Sequence, residues 1–231
     1  MKKNGQRAVI VYGPPGAGKG TQAELLARLF QFVHFDTGRH LESLYRSPAV
    51  KTDPVLRREK KTFDSGVLNT PSFVLKIVSD ATKKIANAGL NIAYSGSPRT
   101  HFEAFGDKKN KGLLEVLKST FGKKNIAVIQ IRISPEESEK RNGARYVCSI
   151  CGLPRLASVR GNHCAFCAGP LRRRSLDAPK VIATRLREYR ERTEPILKRM
   201  RKEKYNIIPI NGAARPYEVF QKIEKKLNLG A

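Results

Sequence analysis

The first apolar run, Ala-Val-Ile-Val-Tyr at residues 8–12, has the β-branched content of a buried strand. Gly13-Pro14-Pro15-Gly16 breaks it, and from residue 18 to 30 the apolar positions Leu25, Leu26, Leu29 and Phe30 fall at helical spacing. Four further short apolar stretches, 32–35, 91–94, 126–133 and 206–210, read as strands with helical patterns between them. Strands alternating with helices predict an α/β fold, a parallel sheet covered on both faces.

Two segments fall outside that alternation and read as insertions. Residues 38–88 are helical in pattern, punctuated by Pro48, Pro54 and Pro71. Residues 142–175 are rich in Gly, Cys, Pro and Arg and have no helical period, as expected of a small module organised by a metal. Beyond it, 179–204 reads as one long charged helix kinked at Pro195, and 216–227 as a last amphipathic helix. There are no internal repeats.

The glycine segment between the first strand and the first helix carries chemistry. Gly13-Pro-Pro-Gly-Ala-Gly-Lys-Gly-Thr21 contains the G-x-x-x-x-G-K core of a phosphate-binding loop in the context its mechanism needs. Backbone N–H groups at Gly16, Ala17, Gly18, Gly20 and Thr21 are suited to closing around phosphate oxygens, and Lys19 adds a point charge. The residue after Lys19 is Gly20, so the hydroxyl arrives one position later, at Thr21.

The four cysteines form two Cys-x-x-Cys pairs, Cys148/Cys151 and Cys164/Cys167, with 12 residues between the pairs. Four thiolates in two tight turns suit tetrahedral zinc and leave no open position, so the site is expected to be structural. His163, beside Cys164, is the alternative ligand, and His34, His40 and His101 read as ordinary residues. Paired cysteines, with no signal-peptide core at the N-terminus, predict a reducing, cytoplasmic setting.

Composition narrows the class less. At 231 residues the chain fits one large domain with insertions, 40% apolar and 28% charged, and no apolar run nears the ~18 residues of a membrane span. The formal net charge is +25, and residues 139–204 alone carry 18 Lys and Arg against six Asp and Glu. Such a field attracts any polyanion, nucleotide or nucleic acid, without choosing among them.

The loop and its continuation Gln22-Ala23-Glu24-Leu25-Leu26-Ala27 resemble the adenylate kinase family, and further blocks match in order. Asp36-Thr37-Gly38-Arg39-His40-Leu41-Glu42 is similar to the family's Ser-Thr-Gly-Asp-x-Leu-Arg, and Ser95-Gly96-Ser97-Pro98-Arg99-Thr100 to its Asp-Gly-Phe-Pro-Arg-Thr. Arg141 and Arg145, seven and three residues before Cys148, resemble the arginines that open the lid, and Arg174 and Arg185, 11 apart, those that close it. The resemblance implies a P-loop kinase with a five-stranded parallel sheet: a core at 1–37, 89–141 and 176–231, a monophosphate-binding insertion at 38–88 and a zinc lid at 142–175. It implies a monomer that transfers the terminal phosphoryl of ATP, carried with Mg2+, to a nucleoside monophosphate.

By the same resemblance, Lys19, Arg99, Arg145, Arg174 and Arg185 are the catalytic charges. Arg141 and Arg145 line the ATP side, with adenine against backbone near Ala214. The acceptor's phosphate falls near Thr37, Gly38, Gly96, Arg99, Arg174 and Arg185, and its base near Val67, Leu68 and Asn69. Three departures fall on charges. The family's acid before Gly-x-Pro-Arg, which helps hold hydrated magnesium, is Ser95, so a negative charge near the metal is expected to be missing. The Gln that reads the acceptor base is Glu103, which when ionised only accepts. Arg39 and Glu42 reverse the family's signs; three apart on a helix, they are expected to pair, with Arg39 taking over the phosphate contact. The charge and the missing acid also motivate a second reading, a nucleotide-dependent protein of this fold that acts on RNA or the ribosome.

Overall fold

The computed structural model describes residues 5–155, 161–173 and 175–229. In chain order, β1 (Ala8–Tyr12) leads through the glycine loop into α1 (Lys19–Phe30) and β2 (Phe32–Phe35). The first insertion holds α2 (Thr37–Leu44), α3 (Pro54–Asp64) and α4 (Pro71–Asn87). Next come β3 (Asn91–Tyr94), α5 (His101–Phe105), α6 (Leu113–Phe121), β4 (Ile126–Arg132) and α7 (Pro135–Gly143). The lid contributes β5 (Val147–Cys148) and β6 (Leu171–Arg172), followed by α8 (Pro179–Glu188), α9 (Glu194–Lys202), β7 (Asn206–Asn211) and α10 (Pro216–Leu227).

Five strands form one sheet in the order β2-β3-β1-β4-β7, every neighbouring pair parallel. All five residues of β1 are buried, as the central place in a two-sided sheet demands. Alternation sends Ala8, Ile10 and Tyr12 to a core shared with α4, α6 and α9, and Val9 and Val11 to a second core shared with α1 and α10. The loops at the carboxyl ends of β1, β2, β3 and β4 thereby meet at one edge, where ligands bind in open α/β sheets.

The segment expected as one kinked helix is two helices joined by a π turn, Tyr189–Thr193. Pro195 has no N–H to give the carbonyl four residues back, and the chain widens so that the Glu194 N–H bonds the Tyr189 carbonyl, five back. In the lid, β5 and β6 pair antiparallel, Val147 opposite Arg172 and Cys148 opposite Leu171.

Candidate functional site

The phosphate loop is held open by its own lysine and by α7. Lys19 Nζ donates to the carbonyls of Gly13 and Pro14, both at 2.8 Å, so the loop curls round the ammonium. Ser138 Oγ, fully buried on α7, donates to the Pro15 carbonyl at 2.5 Å. Gly16 at φ 79° and Gly18 at φ 90° occupy left-handed backbone, and a Cβ on Gly16 would meet Asn142 Nδ2 at 2.7 Å.

Three arginines converge on that lysine from different elements. Burial first, then the positive charges of Arg99, Arg185 and Arg145, hold the Lys19 ammonium well below the usual lysine range, and Asp36 partly offsets them. Four cations whose fields overlap at the loop are arranged for a polyanion. Asp177, itself buried, orients two of them: Arg145 grips both its oxygens, Nε at 2.8 Å, and Arg185 reaches Oδ1 at 3.3 Å and the Leu176 carbonyl at 3.0 Å. Asp177 was not singled out from the sequence. An acid inside the basic stretch between Arg172 and Arg185 was the available signal.

On the ATP side, Arg141 Nε bonds Glu137 at 2.6 Å and its Nη2 reaches the Ala213 carbonyl at 3.3 Å, next to Ala214. On the acceptor side, Thr37 Oγ1 donates to Ser97 Oγ at 3.0 Å, and Gly96 brings its backbone under Arg99, whose Nη2 lies 3.2 Å from where a Cβ would stand. The Leu68 N–H donates to Glu188 at 3.2 Å, which ties the 67–69 segment to α8. Arg174 lies outside the described residues.

Four side chains sit differently from expectation. The amide of Asn69 is turned inward onto buried Glu59, donating to its carbonyl at 2.6 Å and to Oε2 at 3.0 Å. Glu103, 3% exposed, is tied to the start of α5: its carboxylate accepts from the Arg99 N–H at 2.9 Å and from Thr100 Oγ1 at 3.0 Å, while its own N–H donates to the N-cap Thr100 Oγ1. Burial pushes its pKa up against those bonds. Arg39 reaches across to the lid, its Nη2 donating to the Gly152 carbonyl at 3.3 Å, and Glu42 pairs with Arg46 at 2.7 Å and with Arg172 at 2.9 Å. The i, i+3 spacing that suggested an Arg39–Glu42 pair gives way to the lid's guanidinium and carbonyl, which lie on the same side of the cleft.

The four cysteine sulfurs lie within 4.8 Å of one another, with Cys148–Cys167 at 3.5 Å and Cys151–Cys164 at 3.6 Å. A tetrahedron with metal–sulfur bonds of ~2.3 Å has edges of ~3.8 Å, so the set fits such an ion. The two turns repeat one geometry: Ile150 N–H donates to Cys148 Sγ at 3.3 Å and Phe166 N–H to Cys164 Sγ at 3.4 Å. Burial opposes ionising Cys148, but N–H groups of Cys151 and Ile150 outweigh it and bring the thiol down to about 6. For Cys151 the Leu153 N–H favours the thiolate, yet burial and the neighbouring sulfurs push it up to about 12. Ionising all four sulfurs at this spacing would require a cation among them, and the cluster is compatible with a metal site. His163 lies exposed at the lid's edge, outside this cluster.

A parallel sheet with a phosphate loop at its carboxyl edge, ringed by arginines from three directions, defines a P-loop phosphotransferase. The adenylate kinase family model matches residues 11–205. The adenylate kinase of Pelobacter propionicus is 33% identical over 196 residues, 81% of this chain and 82% of the relative. That of Petrotoga mobilis is 31% identical over 220 residues, 93% of this chain and 94% of the relative, and that of Methanothrix thermoacetophila 32% over 225, 95% and 98%. The chain belongs to the adenylate kinase family and is a nucleoside monophosphate kinase. No helix among the described residues is long and apolar enough to cross a membrane.

Proposed function

We propose that the chain catalyses reversible transfer of the terminal phosphoryl group of ATP to AMP, giving two ADP. The observation that carries this reading is the convergence of Lys19, Arg99, Arg145 and Arg185 on the mouth of the phosphate loop. An oxygen of the acceptor phosphate attacks the γ-phosphorus of ATP; the new P–O bond forms as the bond to the β–γ bridging oxygen breaks, and the electron pair leaves with ADP. The reaction is mostly positioning and charge neutralisation.

In this reading the N–H groups from Gly16 to Thr21 cradle the ATP phosphates and Lys19 follows the moving group. Arg145 and Arg185, set by Asp177, neutralise charge on the equatorial oxygens, joined by Arg174. Arg141 and the backbone at Ala214 flank the adenine. Thr37, Gly38, Gly96 and Arg99 hold the acceptor's phosphate, and Val67 and Leu68 border its base. Mg2+ arriving with ATP would be held by oxygen groups beside the loop and supplies Lewis-acid neutralisation of the β and γ oxygens. The working division is a core of 1–37, 89–141 and 176–231, an insertion of 38–88 and a lid of 142–175, whose four cysteines bind a structural zinc ion. A monomer in the cytoplasm fits this chemistry.

The test is a coupled assay of the purified protein with ATP against AMP, CMP, UMP and GMP. AMP is expected to give the highest kcat/KM; a different preferred acceptor would overturn the assignment of AMP, and absence of transfer to all four would overturn the activity.

A further inference from the structure

Two departures from the family's motifs become a single event in three dimensions. Where the resembled pattern has Ser-Thr-Gly this chain has Asp36-Thr37-Gly38, and where it has Asp-Gly-x-Pro-Arg this chain has Ser95-Gly96-Ser97-Pro98-Arg99. Strands β2 and β3 are parallel neighbours with Phe35 opposite Tyr94, so the next residues, Asp36 and Ser95, leave the sheet side by side, about one strand spacing (~4.8 Å) apart. The Ser95 N–H donates to the Phe35 carbonyl at 3.4 Å, which keeps the two ends together. An acid and a hydroxyl have exchanged places on adjacent strand ends.

The orientation of each side chain says which one serves the site. Asp36 Oδ1 caps α2 by accepting from the Arg39 N–H at 3.0 Å. Its Oδ2 faces the start of α1, 3.8 Å from where a Cβ would stand on Gly20, and has no hydrogen bond among the described residues. The same carboxylate is the one that favours the charged form of Lys19. An open carboxylate oxygen therefore sits beside the Lys19-Gly20-Thr21 segment of the loop.

Ser95 is committed elsewhere. Its Oγ lies 2.7 Å from His34 Nε2, and His34 Nδ1 lies 3.0 Å from Glu24 Oε2. The ionised Glu24 carboxylate only accepts, so Nδ1 donates to it, and the ring holds the Ser95 hydroxyl at Nε2. Burial works to raise the Glu24 pKa, but the hydrogen bonds and charges of His34 and Arg28 outweigh it and hold it below the usual range.

We propose that Asp36 is the positioning residue for the hydrated divalent cation of the nucleotide, taking the part that the resemblance assigns to an acid at the position of Ser95. Resting on the phosphotransfer reading above, it deepens that reading at one residue. A hard cation that keeps most of its waters is held in such sites by one or two carboxylates together with the substrate's phosphates, and Asp36 Oδ2, open beside Gly20 of the loop, supplies a carboxylate of that kind.

The experiment uses Asp36→Ser and Asp36→Asn, since Ser and Asn cap a helix about as well as Asp and leave α2 its N-terminal bond. ATP affinity is measured by calorimetry with and without Mg2+, and Mn2+ binding to the protein–ATP complex by electron paramagnetic resonance. Both variants are expected to lose about tenfold of the cation's enhancement of ATP binding, the usual scale for an outer-sphere carboxylate, with no loss of affinity for metal-free ATP. Ser95→Ala is expected to keep the enhancement. Wild-type enhancement in both Asp36 variants, or an equal loss in Ser95→Ala, would overturn the proposal while leaving the kinase reading intact. Absence of ATP binding by the wild-type protein would overturn both.

Discussion

Arg172 of the lid and Glu42 of the first insertion form an ion pair at 2.9 Å across the cleft, and Arg46 holds the same carboxylate oxygen from α2 at 2.7 Å. The Gly152 carbonyl, bound by Arg39, makes a second bridge of the same sense. Both bridges join lid to insertion, so they exist only while the cleft is closed. Glu42 and Arg172 are partly solvated, so the pair is worth about 0.5–1 kcal/mol. Glu42→Gln is expected to shift the lid toward the open state by about two- to fivefold, read by single-molecule energy transfer between lid and insertion. The reversed pair Glu42→Arg/Arg172→Glu should recover closure; an unchanged distribution in the single variant would remove the bridge from the account of closure.

Lys19 carries opposite demands in the empty and the loaded site. Lys19→Met should lower kcat by at least about 10²-fold, the scale for losing one preorganised charge, without lowering the melting temperature of the empty protein. The sign of the pH effect follows from its lowered pKa. The folded chain holds the Lys19 proton less tightly than the unfolded chain, so this group's contribution to stability rises with pH from its folded pKa up to the ordinary lysine range. The difference in stability between wild type and Lys19→Met should shrink over that window. A parallel offset at every pH would show that Lys19 is not strained by its neighbours.

The lid's cysteine cluster should bring about one zinc ion per chain through purification without chelators, measured by elemental analysis. Stripping the metal should lower the melting temperature by at least about 5 °C, because the four sulfurs are brought together only when the lid folds and metal binding is coupled to that folding. Cys148→Ser should do the same and abolish metal retention. Full retention of zinc by that variant would exclude Cys148 from the site.

Much of this architecture was legible because it depends on local pattern. The β1 run, the glycine loop and the helical spacing of α1 each read correctly from a dozen residues, and the paired cysteine spacing gave the four sulfurs that converge in the lid. What sequence could not supply was adjacency. Asp36 and Ser95 are 59 positions apart and looked like two unrelated departures until the strand order placed β2 beside β3. Spacing on α2 suggested that Arg39 and Glu42 pair, but the lid competes for both, and nothing in their spacing records where the lid lies. His34 read as an ordinary residue, because its two partners, Glu24 and Ser95, come from different elements.

The acceptor base poses the last question, and Glu103 bears on it. Its carboxylate is buried and carries a pKa raised by desolvation, so the folded chain binds this proton more tightly than the unfolded chain. Such a group costs stability progressively as pH rises from the ordinary Glu value, about 4.3, through the folded pKa. Glu103→Gln removes that cost and keeps the local bonds: its carbonyl oxygen accepts from the Arg99 N–H, and its amide donates to Thr100 Oγ1, which has a second lone pair. The variant is therefore expected to be as stable as wild type near pH 4 and more stable at pH 7, by thermal melts across the range. Its second amide hydrogen also restores a donor at the position where the resembled family reads adenine. The KM for AMP should fall by about tenfold, with that for CMP or UMP unchanged, since a hydrogen bond to a buried partner is worth about 1–1.5 kcal/mol. If the variant is more stable at pH 7 but all acceptors keep their wild-type KM, Glu103 belongs to the frame of α5 alone and the base is read by other groups.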